Sequence, residues 1–184
     1  MTYDKIIIAG FGGQGALNVG KMIAEAGLTD GKEVSWLPSY GSEMRGGTAN
    51  CCTIVSDQEI ASPTLRKANF IAVLNRPSLI KFESWMEAGG NLVVNTSLIE
   101  DKVTRDDVNV YYIPANKIAE EVGNPRGMNM VILGTYLAIT GSVSLESIDH
   151  AIDETFSGRK AKFAPLNKAC VRAGIDYIKA NYPV

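Results

Sequence analysis

Hydrophobic and polar positions fall along this chain in two alternating kinds of block. Residues 5–9 (Lys-Ile-Ile-Ile-Ala) and 70–74 (Phe-Ile-Ala-Val-Leu) are short, nearly unbroken apolar runs. Such runs are the pattern of strands buried on both faces. Residues 33–37, 48–56, 91–94 and 108–113 read as further strands, bounded by turn formers. Between them the spacing predicts helices. One covers 16–26 and is closed by Gly27. A second starts at Asn75 and Pro77 and runs to about residue 87, ahead of Gly89-Gly90. A third covers 115–122, and a fourth 126–140. The fourth is apolar almost all round, which makes it a core helix in preference to a subunit contact. Ser144 is a good N-cap for a fifth, with Leu145, Ile148, Ile152 and Phe156 along one face. The last covers 164–180. Residues 38–47 are rich in turn formers and read as a loop. A turn at Asp57-Gln58 leads into a short segment, 59–61.

Strands that alternate with helices predict an α/β fold: three layers, with a mostly parallel sheet and helices on both faces. Residues 33–61 hold two or three strand segments with no helix between them, so some antiparallel pairing is expected there. No linker, repeat or low-complexity tract interrupts the 184 residues, and a single domain over 1–184 is expected. With 46% hydrophobic and 21% charged residues, the composition is that of an ordinary globule. A net charge of −2 gives no support to a nucleic-acid or membrane-surface role. The first residues, Met1 to Lys5, lack the basic start of a signal peptide, so the expected location is the cytoplasm. Cys51, Cys52 and Cys170 make no disulfide framework, and His150 is the only histidine. A metal or iron–sulfur site built by this chain alone is therefore not expected. Cys51 and Cys52, adjacent in a strand, should point to opposite faces as small buried thiols.

The most informative stretch is Gly10-Phe11-Gly12-Gly13-Gln14-Gly15, set between the first strand and the first helix. Glycine permits positive φ and close approach of a ligand to the main chain. A helix that starts there adds unpaired N–H groups and the positive end of its dipole. An anion or phosphate site near Gly12–Gly15 is the first expectation. The stretch also satisfies G-x-G-x-x-G, but a dinucleotide site needs an acid at the end of the second strand. Here that strand runs into Trp36-Leu37-Pro38-Ser39-Tyr40, with Glu33 before it and Glu43 well beyond. Residues 15–21 fit G-x-x-x-x-G-K, yet Met22 stands where magnesium needs Ser or Thr, which rules out a triphosphatase. A third reading joins the glycine stretch to residues 38–47 at one rim of the sheet. Arg45 would then supply charge beside the loop; a surface pair with Glu43 is the alternative.

Gly10-Phe-Gly-Gly-Gln-Gly15 taken with Ser42-Glu-Met-Arg-Gly-Gly-Thr-Ala-Asn-Cys51 resembles the gamma subunit of 2-oxoacid:ferredoxin oxidoreductases of the 2-oxoglutarate, branched-chain 2-oxoacid and pyruvate types. The resemblance extends to Ile60-Ala-Ser-Pro63, Ala72-Val-Leu-Asn75 and Asn129-Met-Val-Ile-Leu-Gly134. It implies a share in a multisubunit enzyme that decarboxylates a 2-oxoacid oxidatively, forms an acyl-coenzyme A and reduces ferredoxin. It implies alpha and beta subunits as partners, with a ferredoxin-like delta subunit as a further candidate. Thiamine diphosphate and iron–sulfur clusters would sit on those partners, and this chain would contribute to the coenzyme A site. Carried over by position, the cofactor contacts are Gly12, Gly13, Gln14 and Gly15, faced by Ser42, Glu43, Met44, Arg45 and Gly46. No catalytic residue is assigned to this chain, and by itself it would be inactive. A nicotinamide- or flavin-binding dehydrogenase and a purely structural subunit are the competing readings.

Fewer signals come from the rest of the chain. Arg159, Lys160 and Lys162 form a basic cluster, read first as a solvated loop and second as a contact for the adenosine phosphate of coenzyme A or a partner's acidic edge. Trp36 and Trp85 read first as core and second as anchors of an interface. Asn75 is either a helix cap or a group at the ligand edge.

Overall fold

The computed structural model describes residues 1–40 and 48–184. One sheet holds β1 (Tyr3–Phe11), β2 (Glu33–Tyr40), β3 (Thr48–Ser56), β4 (Ala68–Val73), β5 (Met86–Asn95) and β6 (Asn109–Ile113), in the order β2-β3-β1-β4-β5-β6. The pairs β1–β4, β4–β5 and β5–β6 are parallel, while β3 runs antiparallel to both β1 and β2. All strands but β3 therefore point the same way. The expected α/β architecture, mostly parallel with local antiparallel pairing, is the one observed.

The two-residue period of β1 sorts its side chains into two cores. Ile6 and Ile8 join one cluster, Ile7 and Ala9 the other. The larger cluster is closed by α1 (Ala16–Thr29), α3 (Ala115–Val122), α4 (Met128–Thr140), α5 (Leu145–Thr155) and α6 (Ala164–Asn181). The smaller is closed by α2 (Arg76–Phe82), the 3-10 turn Glu83–Trp85 and the segment 96–108, through Leu79, Phe82, Trp85, Ile99 and Val103. Helices cover both faces, but unevenly. As expected from its apolar circumference, α4 is core: Met130 to Tyr136 are all buried. Cys51 and Cys52 do face opposite ways, and burial pushes the Cys51 thiol up to about 12.

Local chemistry explains where the elements depart from the pattern. Helix α1 does not stop at Gly27 but continues to Thr29. Gly27 and Gly20 lie two turns apart on the face of α1 laid against β2 and β3. A Cβ at Gly27 would come within 2.7 Å of Val34 Cγ1, and one at Gly20 within 2.3 Å of Cys51 Sγ. Both glycines serve close packing, and neither ends the helix. Strand β2 runs on through Pro38 to Tyr40, because β2 is the edge strand and its outer side needs no N–H donor. Helix α2 ends at Phe82, and Gly89-Gly90 lies inside β5, where the register against β4 shifts. Residues 59–61 form no strand.

Candidate functional site

The parallel strands end at one rim, and there the chain leaves β1 and β4 toward opposite faces: α1 to the larger core, α2 to the smaller. Such a reversal opens a crevice at the carboxyl ends of the strands, the usual ligand position in open α/β sheets. The glycine loop fills this point. Gln14 N–H donates to the Phe11 carbonyl at 3.1 Å and closes the turn. Gln14 Oε1 accepts from the Phe11 N–H at 2.6 Å and from Asn75 Nδ2 at 3.3 Å. Gln14 is thus a latch that holds the loop shut onto the end of β4. Asn75 does double duty, since its Oδ1 also caps α2 by accepting from the Ser78 N–H at 2.9 Å.

The glycines differ in what they permit. Gly13 (φ +92) has no atom within 4 Å of the place a Cβ would take, so its α-carbon faces open space. Gly15 (φ +80) is the N-cap of α1, and a Cβ there would lie 2.3 Å from Asn129 Nδ2. The start of α4 is therefore seated directly on the glycine loop, where Asn129 Nδ2 reaches toward the Gly15 carbonyl at 3.5 Å. The first N–H groups of α1 have no acceptor within the helix and are free to meet an anion.

A cleft of about 370 Å³ opens at this loop. Gly13, Gln14, Gly15 and Asn18 line one part of it; Arg126, Asn129, Phe156, Lys160, Phe163 and Asn167 line the rest. Neither Arg126 nor Lys160 has an ion-pair partner among the described residues. No carboxylate, cysteine, histidine or hydroxyl side chain is among the described lining residues. Amides, two cations, two aromatic rings and bare backbone make a site for holding a polar, phosphorylated molecule. Nothing in that lining pairs a nucleophile with a base.

Gly13, Gln14 and Gly15 of the expected site line this cleft, and Gly12 sits beside them in the turn. Ser42, Glu43, Met44, Arg45 and Gly46 lie outside the described residues. The residues flanking them are placed: Thr48 pairs with Phe11, and Tyr40 with Ala49, at the same rim as the glycine loop. Of the basic cluster, Lys160 lines the cleft and Arg159 and Lys162 do not. Arg126, Asn129, Phe156 and Phe163 were not expected here. Arg126 sits in the turn that opens α4, a place the Asn124-Pro125 pair marks in the sequence without saying what it faces. The sheet order also weakens the dinucleotide reading. β3 lies between β1 and β2, so any acid at the end of β2 would be a strand too far from the loop.

Among the described residues no helix is long and apolar enough to cross a membrane, and no group of three or more His, Cys, Asp or Glu could hold a metal ion. Comparison with known proteins gives a consistent picture. The family model for pyruvate ferredoxin/flavodoxin oxidoreductase matches residues 5–177. The ketoisovalerate oxidoreductase subunit VorA of Methanothermobacter marburgensis is 36% identical over 96% of the chain. The chain spans only 37% of that relative's own length. The 2-oxoglutarate synthase subunit KorC of Methanocaldococcus jannaschii is 36% identical over 80% of this chain and 81% of its own. The crystal structure of the keto/oxoacid ferredoxin oxidoreductase gamma subunit from Geobacter sulfurreducens superposes with a TM-score of 0.83 at 28% identity, covering 96% of this chain and 99% of that one.

Proposed function

The chain belongs to the pyruvate ferredoxin/flavodoxin oxidoreductase family, and on that premise we propose that it is the gamma subunit of a 2-oxoacid:ferredoxin oxidoreductase and holds coenzyme A for the complex. The observation that carries this reading is the cleft at the glycine loop. Among the described residues it combines backbone N–H donors, two cations without an ion-pair partner and an open approach at Gly13. The partners are alpha and beta subunits, with a ferredoxin-like delta subunit where one is present, and ferredoxin is the acceptor. Thiamine diphosphate and the clusters belong to those partners; they supply the electron sink and the path for electrons.

The task of this chain is then positional. It fixes the thiol carrier so that the acyl group formed on a neighbouring subunit meets its acceptor in a short-lived, oriented encounter. Gly12, Gly13 and Gly15 present backbone to the phosphates, and Gln14 keeps the loop in the shape that does so. Ser42, Glu43, Met44, Arg45 and Gly46 complete the cradle from the segment between β2 and β3, with Arg45 as its cation.

The test uses the assembled complex with Gly13→Val or Arg45→Ala in this chain. Each variant should raise the KM for coenzyme A about tenfold or more, Arg45→Ala by loss of a charge-assisted contact and Gly13→Val by blocking the approach to the backbone, with kcat for the half-reaction before coenzyme A unchanged. An unaltered KM in both would favour the purely structural subunit.

A further inference from the structure

Taking coenzyme A as the ligand of this cleft, we infer that the wall built from the 124–127 turn and the 3-10 segment Gly158–Phe163 selects the nucleotide end of the carrier: Arg126 and Lys160 take its terminal phosphate, and Phe163 stacks on its purine.

This wall is pinned by one buried amide. Asn167 is 7% exposed; its Nδ2 donates to the Phe163 carbonyl at 2.8 Å, and its Oδ1 accepts from Asn124 Nδ2 at 3.3 Å. Asn124 in turn accepts at its carbonyl from the Gly127 N–H at 2.8 Å, closing the turn that carries Arg126. Pro125 sits second in that turn, where its fixed φ suits the bend. The segment carrying Lys160 and Phe163 is therefore tied through Asn167 to the segment carrying Arg126. Lys160 is anchored through its backbone, by an N–H bond to the Ser157 carbonyl at 3.1 Å. Both cationic heads are exposed and lack acidic partners among the described residues, so neither is already spent on an ion pair.

The aromatic side chains point the same way. Phe163 remains 47% exposed at the cleft, an unfavourable place for a large apolar ring unless something flat covers it. Lys162 Nζ stands 5.2 Å from its ring centroid and adds positive charge just outside the lining. Two cations without an acidic partner among the described residues, beside a half-exposed ring, fit a purine nucleotide bearing a free phosphate monoester. They do not fit the uncharged pantetheine arm. The glycine loop, with N–H donors and no side-chain cation of its own, fits the diester pyrophosphate. Arg126 and Lys160 are left for the dianionic 3′-phosphate, where charge-assisted bonds are strongest.

The experiment measures binding of coenzyme A, dephospho-coenzyme A and 4′-phosphopantetheine to the assembled complex. The wild type is compared with Arg126→Gln/Lys160→Gln and with Phe163→Ala. The double variant should weaken coenzyme A by about 10- to 100-fold, bring it level with dephospho-coenzyme A, and leave phosphopantetheine unchanged. Phe163→Ala should weaken both nucleotides equally, by about tenfold, the worth of one lost base–aromatic stack. All these positions are exposed, so the melting temperature serves as a check that the fold is intact. If the wild type binds coenzyme A and the double variant keeps both the affinity and the preference over dephospho-coenzyme A, the inference is overturned while the site stands. If the wild type binds no coenzyme A at all, the reading of the site falls, and the inference with it.

Discussion

At the scale of single residues, this protein depends on glycines for two unrelated reasons. Gly13 and Gly15 both have positive φ, but only Gly15 is also hemmed in by a neighbour, Asn129. An alanine at position 15 would carry the left-handed backbone penalty and push Asn129 off the loop. Gly15→Ala should therefore lower stability by about 1–3 kcal/mol and also loosen the start of α4, which walls the cleft. Thermal unfolding checks the first effect, and coenzyme A affinity checks the second. Gln14 shows how a residue's place can be legible while its contacts are not. Its place in the loop was plain from the sequence. That its side-chain oxygen turns inward, to Phe11 and Asn75, follows only from the fold.

Between elements, α4 and α6 cross with their backbones in close approach. A Cβ at Gly134 would sit 2.0 Å from the Val171 carbonyl oxygen, and one at Gly174 2.1 Å from the Val131 carbonyl oxygen. Backbone meets backbone, so no side chain can rotate away to make room. Gly134→Val should cost about 3 kcal/mol or more, a fall in Tm of about 6–12 °C for a chain of this size. A second joint ties the end of α1 to the start of α5. Asp30 accepts from the Ser144 N–H at 2.6 Å, the Ser144 hydroxyl at 2.9 Å and the Ser147 hydroxyl at 2.5 Å. Burial alone would raise the Asp30 carboxyl, but these bonds and nearby Lys32 outweigh it and hold it below its ordinary 3.8. A carboxyl lowered by folding stabilises above its unfolded value, and the gain is lost as the pH falls through the folded value. Asp30→Asn should lower Tm near neutral pH by about 2–4 °C, one net hydrogen bond's worth, and the gap should shrink in acid as the carboxyl takes up its proton. A gap that persists in acid would mean that charge plays no part.

For the molecule as a whole, the arrangement separates a packed body from a polar, open rim. The sheet and its two cores hold no unusual charge, and the net charge is −2. The cleft is the exception: among the described residues its lining has two cations without an ion-pair partner and no carboxylate. Its walls come from parts of the chain far apart in sequence: the loop after β1, the turn before α4 and the segment before α6. A local field of opposite sign to the net charge favours one anionic ligand at one place without making the protein a general polyanion binder.

Much of this was legible from residue order alone. The apolar runs marked β1 and β4, and Ser144 capped α5 as expected, because strand burial and helix capping are local matters. The glycine loop declared itself through the strand before it and the helix after it. Other features depended on contacts distant in sequence. Gly27 as a packing glycine needed Val34 and Val55 across the helix–sheet interface; Pro38 inside a strand needed β2 to be the edge. The wall of Arg126, Lys160 and Phe163 could not be inferred from spacing, since these residues are joined only when α4 and α6 cross and Asn167 reaches Asn124. Local order sets which elements form and where the glycine loop lies. Packing at long range sets which side chains surround it.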